Sequence, residues 1–168
     1  MSSALLEMAP IALFVLQFLW FAFAWILVTH YVLWPWSRTL EPHRRLALWV
    51  APEMFRVLGV GLLVPTLSPE MPLSFAVPTA IADTTTSVLA AVAFVALQRR
   101  ARSARLLVWL CTIVGVGDLL IAVPHAAHTG AIDHLAAQWY VPVLAGPAMV
   151  VAHVACIATL LHTRRDPS

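Results

Sequence analysis

Two ionisable side chains lie three residues apart inside a long apolar run. The run covers residues 46–67, and the stretch APEMFRVLG within it contains Glu53 and Arg56. A charge deep in a bilayer costs about 3 kcal/mol or more unless it is paired or hydrated, and arginine does not lose its proton to avoid that cost. The stretch therefore predicts either a buried partner for Arg56 or a polar path that reaches it.

Each of the next three apolar runs also carries an ionisable side chain. With about 1.5 Å of rise per residue, Arg56 and Asp83 both lie roughly 15 Å deep, which makes Asp83 the first candidate partner for Arg56. Asp118 falls in the outer third of its run, and His153 falls in the inner third of the last run, at about the depth of Glu53. We predict one buried polar network made of these five residues.

Two interpretations of this network are open. In the first, the ion pairs only hold the register of neighbouring helices, since buried pairs add little net stability. In the second, the network lines a polar pathway or a ligand pocket, because intramembrane ionisable residues commonly mark functional sites. Small residues on the same faces, such as Ala80, Gly115 and Gly146, predict close helix packing around the charges.

A histidine cluster occupies the segment PHAAHTGAIDH, which links the last two apolar runs. It contains His125, His128 and His134, together with Asp133. Imidazole and carboxylate groups at such spacings can bind zinc or copper, so the segment is a candidate metal site. The alternative is a solvated link whose histidines titrate near neutral pH.

The composition indicates a membrane as the solvent of this chain. Of its 168 residues, 61% are hydrophobic and only 11% are charged, whereas soluble domains carry about 25% charged residues. The length predicts a single domain over residues 1–168. The net charge of +2 is too small to indicate nucleic acid as a partner. The absence of Lys and Asn is typical of a GC-rich bacterial genome.

Five segments are apolar over the roughly 20 residues that a bilayer-spanning helix needs. Their approximate bounds are 10–33, 46–67, 73–97, 105–124 and 139–162. Short links between them favour antiparallel neighbours, and their uniform apolar character disfavours a β-barrel. The predicted fold is all-α, an integral membrane bundle of five transmembrane helices.

The arginines predict an orientation for this bundle. All except Arg56 fall in segments that would share one side of the membrane: Arg38, Arg44, Arg45, Arg99, Arg100, Arg102, Arg105, Arg164 and Arg165. The positive-inside rule assigns that side to the cytoplasm. We therefore predict a multi-pass protein of the bacterial inner membrane, with its N-terminus outside and its C-terminus in the cytoplasm.

Four stretches carry a resemblance to a known family. They are FRVLGVGLLVP, PLSFAVPTAIAD ending at Asp83, WLCTIVGVGDL ending just past Asp118, and VPVLAGPAMVVAH ending at His153. Together they resemble a family of uncharacterised bacterial multi-pass integral membrane proteins to which no activity is assigned. The resemblance implies a shared helical bundle and shared polar positions, and it implies no reaction.

Three functional hypotheses fit these observations. The first is a small transport-related or ligand-binding membrane protein, in which the polar network acts with protons. The second is a non-catalytic partner or assembly subunit, in a homo-oligomer or a larger membrane complex. The third is a metal- or haem-dependent membrane oxidoreductase. No nucleophile elbow, P-loop, dinucleotide fingerprint or HExxH motif occurs, so the sequence favours a function other than catalysis.

Overall fold

The computed structural model describes residues 10–162, and within that range every regular element is helical. Five of the helices are long and apolar enough to cross a membrane. This confirms the all-α prediction and the number of long apolar helices. Arg164 and Arg165, which contribute to the predicted orientation, lie outside the described residues.

Consecutive helical pieces form five long rods, which we number α1 to α5. Helix α1 comprises an α-helix at Pro10–Val28, a π-helical turn at Thr29–Leu33 and a last turn at Trp34–Ser37. Helix α2 comprises an α-helix at Pro42–Val50 and a 3₁₀-helix at Ala51–Leu63. Helix α3 is Leu73–Gln98, α4 is Ala104–Thr129, and α5 comprises a π-helical turn at Val141–Ala145 and an α-helix at Gly146–His162. Two short 3₁₀ turns, Ala131–His134 and Ala136–Trp139, precede α5.

The predicted bounds differ from these at several ends. Helix α2 begins at Pro42 rather than near residue 46, because the basic segment before the apolar run is also helical. Helix α4 continues through Pro124 to Thr129, and Gly130, with φ of 68°, ends it in the left-handed conformation. His125 and His128 therefore lie on a helix, whereas the sequence placed them in a link.

The second half of α2 is a 3₁₀-helix, which the sequence analysis did not anticipate. Its start coincides with Pro52, whose ring clashes with a carbonyl of the preceding turn and which lacks an N–H for an α-helical bond. Its end coincides with Val64, which is extended as expected for a residue before proline. With three residues per turn, side chains at i and i+3 eclipse along one row.

That geometry explains which residues of this half-helix are buried. They are Glu53, Arg56, Gly59 and Leu62, which follow each other at intervals of three and form one row. The other two rows contain exposed apolar side chains such as Phe55 and Val57. The 3₁₀ segment therefore directs an acid, a base and a glycine toward the same interior region.

The bundle has a buried apolar core towards each end. At one end, which we call the Arg99 end, the core comprises residues from α2 to α5, including Trp49, Leu97, Val108 and Leu160. The opposite end, the Gly130 end, is covered by the 3₁₀ turns that precede α5. They are tied to the α2–α3 link by the hydrogen bond from the Ala137 N–H to the Leu67 carbonyl, at 3.0 Å.

Helix α1 lies at the periphery of the bundle. None of its most apolar 18-residue window is buried, in contrast to the other four long helices. Two hydrogen bonds attach it to the neighbourhood of α5: the Trp139 indole donates to Gln17 Oε1 at 2.7 Å, and the Trp25 indole donates to the Leu144 carbonyl at 3.3 Å. The ionisable residues of the interior come from the other four helices.

Candidate functional site

Arg56 is at the centre of the buried ionisable cluster. Its Nε donates to Asp83 Oδ1 on α3 at 2.8 Å, and its Nη2 donates to Asp118 Oδ2 on α4. Its Nη1 donates to the Gly115 carbonyl at 3.2 Å. The guanidinium thus binds groups from two neighbouring helices, and its side chain is only 2% exposed.

Glu53 and His153 form a second layer, on the side of the Arg99 end. Glu53 Oε2 lies 3.8 Å from Arg56 Nη1 and 3.2 Å from His153 Nε2 on α5. Both side chains are almost fully buried, and neither makes a hydrogen bond of good geometry among the described residues. The two side chains are therefore close together without a hydrogen bond, and their donor and acceptor atoms lack partners among the described residues.

Two glycines create the space in which the cluster fits. A Cβ on Gly59 would collide with the carboxylate of Asp83, whose Cγ would stand 2.9 Å away. A Cβ on Gly115 would stand 2.5 Å from His153 Nε2 and 3.0 Å from Thr86 Cγ2. Real Cβ contacts are longer, so both positions require glycine for α3 and α5 to bring their polar groups this close.

A hydroxyl group on α3 supports the unusual backbone of α2. Ser87 Oγ donates to the Met54 carbonyl at 2.5 Å. Met54 lies between Glu53 and Arg56 in the 3₁₀ segment of α2. Such a bond between helices gives a polar backbone atom in an apolar interior a partner outside its own helix. It also holds α3 at a defined rotation relative to the 3₁₀ segment, and thereby helps to place Asp83 opposite Arg56.

The cluster contains more carboxyl groups than cations. Glu53, Asp83 and Asp118 surround one guanidinium, and His153 is the only imidazole within ion-pair distance of them among residues 10–162. Net charge in a low-dielectric interior is costly. Neutrality therefore requires two protons shared among the three carboxyls and the imidazole, or an external cation in place of one proton.

A cavity of about 370 Å³ lies between the cluster and the Gly130 end. Arg56, Asp83 and Asp118 border it at one end, and Leu135 and Gln138 border it near the 3₁₀ turns. Its remaining wall is apolar and comes largely from aromatic and aliphatic side chains of all five helices. This volume falls in the range of small-molecule pockets, which combine an apolar lining with a few polar groups.

The structure brings together all five residues of the predicted polar network: Arg56, Asp83, Glu53, Asp118 and His153. One detail differs from the expectation: Asp118 contacts Arg56 directly, although depth counting placed it further out. Glu53 lies close to His153 on α5 as well as to Arg56, in agreement with their predicted depths. The functional role of these residues stays a prediction.

The predicted metal site has no matching geometry. The described residues contain no group of three or more His, Cys, Asp or Glu side chains arranged to hold a metal ion, so His125, His128, His134 and Asp133 are not gathered around one point. His125 instead packs edge-on against the ring of Phe75, with ring centroids 5.7 Å apart. The extension of α4 to Thr129 and the turn at Gly130 separate the histidines.

Sequence reasoning missed several residues of the site. Gly59 and Gln138 were not singled out, and neither were the aromatic residues of the cavity wall, Phe14, Phe18 and Phe75. The interval of three from Glu53 through Arg56 to Gly59 was a usable signal, because it marks one face of a 3₁₀-helix after Pro52. No local signal identifies Gln138, since its position depends on how the turns before α5 fold over the bundle.

Comparison with known proteins gives one match. A protein-family model described as "Domain of unknown function (DUF8737)" matches residues 13–161, which is most of the chain and includes every residue of the cluster. No curated protein and no solved structure matches the chain.

Proposed function

The chain belongs to the DUF8737 family, and we propose that it is a multi-pass protein of the bacterial inner membrane that binds a small ligand as part of transport. The observation that carries this proposal is the cavity that reaches Arg56, Asp83 and Asp118. A purely scaffolding ion pair has no need of a cavity of about 370 Å³ beside it. The excess of carboxyl groups over cations in the cluster supports a coupling of ligand movement to protons.

The membrane part of the proposal is supported by the five long apolar helices and by the distribution of arginines. We place the Arg99 end in the cytoplasm, because the links at that end carry the basic residues, and the Gly130 end outside. The cavity then lies in the outer half of the bundle. With that orientation, the apolar core at the Arg99 end would lie between the cavity and the cytoplasm.

Accessibility of the cavity tests the ligand-binding proposal without knowledge of the ligand. Thr79 lines the cavity, whereas Thr112 is buried outside it and is 3% exposed. Native Cys111 and Cys156 are each 1% exposed and give little background. In purified protein reconstituted in nanodiscs, Thr79→Cys should react with methyl methanethiosulfonate much faster than Thr112→Cys. Equally slow reaction of both variants would show that the cavity is not accessible to small molecules, and it would contradict the ligand-binding proposal.

A second candidate function, that of an assembly subunit, is supported by the peripheral position of α1. A helix that buries so little of itself in its own bundle is available to a second copy or to another membrane protein. Its exposed side chains are mostly large, such as Leu16, Leu19 and Trp20, and these also suit lipid. The mass of the detergent-solubilised protein, corrected for bound detergent, distinguishes a protein partner from lipid around α1. An oligomer supports a protein partner, and a monomer favours lipid.

A further inference from the structure

The cavity is chemically asymmetric, and the asymmetry restricts what it can hold. Its charged end presents two carboxylates, Asp83 and Asp118, against one guanidinium. Arg56 already hydrogen-bonds to both carboxylates, so its charge is shared between them. Glu53 and His153 stand behind Arg56 rather than in the cavity wall. The charge that a ligand meets at this end is therefore net negative whenever both aspartates are ionised.

The rest of the wall suits an apolar body. Rings from α1 and α3 line it, together with aliphatic side chains such as Leu62 and Met149; the rings are Phe14, Phe18 and Phe75. Aromatic faces attract cations as well as apolar groups. An anionic ligand would be repelled by the two carboxylates and would find no free guanidinium, so the cavity discriminates against anions.

A further polar group of the cavity wall supplies independent evidence for a ligand. Gln138 lines the cavity near the 3₁₀ turns and is 8% exposed. Its Oε1 is buried without a hydrogen-bond partner among the described residues. Buried acceptors are almost always satisfied in folded proteins. A ligand that donates an N–H or O–H to Gln138 would satisfy this atom.

One wall of the cavity reaches the lipid-facing surface. Leu120 and Val123 of α4 line the cavity and are nevertheless 72% and 67% exposed. Because the same side chains border both the cavity and the surface that a bilayer would cover, a ligand with an apolar body can enter from the membrane. Such a ligand partitions into the bilayer before it binds.

We propose that the cavity binds a lipophilic ammonium ion, with its N–H groups at Asp83 and Asp118, its apolar body among the phenylalanines, and a second donor at Gln138. This inference rests on the proposed function and names the ligand class of the same site. The ammonium ion supplies the cation that the excess carboxyl groups lack. It replaces a proton of the cluster, so charge is conserved when one binds and the other leaves.

Three matched probes test the class: a phenol carrying a butylammonium chain, the same phenol with a butanol chain, and the same phenol with a butanoate chain. Binding to the purified full-length chain in nanodiscs is measured by calorimetry. We expect the ammonium probe to bind at least roughly tenfold more tightly than the other two, which is the range for a hydrogen bond to a charged group. Equal or tighter binding of the alcohol or carboxylate would overturn the inference.

Substitutions in the cavity wall test whether the ammonium probe binds in this cavity. Asp118→Asn should weaken the ammonium probe roughly tenfold or more. Because that change also touches Arg56, Ala122→Phe provides a second test: Ala122 lines the cavity, and a ring there should block the probe without altering a charge. Ile113→Phe on the same helix is the control, since Ile113 is exposed and outside the cavity wall. Unchanged binding in Ala122→Phe would place the probe elsewhere and defeat the inference.

The outcomes separate this inference from the proposed function. If Thr79→Cys reacts but none of the three probes binds, the ammonium class is wrong and the cavity remains a candidate site for another ligand. If Thr79→Cys is unreactive, the cavity is dry and both proposals are lost. Preferential ammonium binding that Ala122→Phe abolishes supports both.

Discussion

The carboxylate of Asp83 occupies the space in which a Cβ of Gly59 would stand. This relationship allows α3 to bring its only carboxylate to within 2.8 Å of Arg56 Nε, one turn earlier in the 3₁₀ row of α2. The ion pair at the centre of the cluster therefore depends on a residue with no side chain. Arg56 and Gly59 belong to the same buried row of the 3₁₀ segment and both face α3, so the space at Gly59 lies beside the Arg56 guanidinium's partner.

Gly59→Ala should destabilise the protein, because the new Cβ must displace Asp83 from Arg56. Overpacking of an interior commonly costs about 1–3 kcal/mol, whereas alanine in place of a free helical glycine is favourable by roughly 0.5–1 kcal/mol. Gly117→Ala is the matched control, since a Cβ there meets nothing within 4 Å. Thermal unfolding in detergent measures both. A transition temperature of Gly59→Ala at or above that of Gly117→Ala would contradict the crowding that the structure shows.

Removing the Arg56 side chain should destabilise the protein more than removing the Asp83 side chain. Arg56→Ala leaves Glu53, Asp83 and Asp118 without their cation, whereas Asp83→Ala leaves Arg56 paired with Asp118. Stranding a buried charge costs about 3–5 kcal/mol, and the double variant should recover part of that loss. Folded yield and thermal unfolding of the two single variants and the double variant form the cycle. Strictly additive losses would mean that the two side chains do not interact.

The proposed orientation predicts which engineered cysteines an impermeant reagent reaches in intact cells. Cysteine at His128, an exposed position at the Gly130 end, should be labelled from outside. Cysteine at Ser103, exposed at the Arg99 end, should be labelled only after the cells are opened. The two native cysteines are buried and should remain unlabelled. The reverse pattern would invert the topology.

Replacing His125, His128 and His134 together with alanine should leave the metal content of the purified protein unchanged. The described residues do not arrange these side chains around a common point, and two of them lie on α4. Zinc and copper are measured by mass spectrometry of metals, with an unrelated membrane protein purified in parallel as the control. Stoichiometric metal in the wild type that disappears in the triple variant would restore the metal-site hypothesis.

The number of long apolar helices and the identity of the buried ionisable residues were predictable from the sequence. Hydropathy is a property of consecutive residues, and a bilayer requires about 20 of them, so each segment is recognisable without its neighbours. An arginine in such a segment must find a partner, which directs attention to carboxylates at similar depth. Arg56 and Asp83 were paired on this argument alone, and the structure places them 2.8 Å apart.

Other features depended on tertiary structure. Depth counting assumed about 1.5 Å of rise per residue, but α2 is a 3₁₀-helix beyond Ala51 and rises about 2.0 Å per residue, which alters the depth of every later residue in it. Arg56 contacts Asp118, which depth counting placed further out, as well as Asp83. The cavity, and the place of Gln138 in it, arise because the turns before α5 fold over helices distant in sequence. Composition and periodicity report each segment separately, whereas a cavity is defined by the space that several packed segments leave between them.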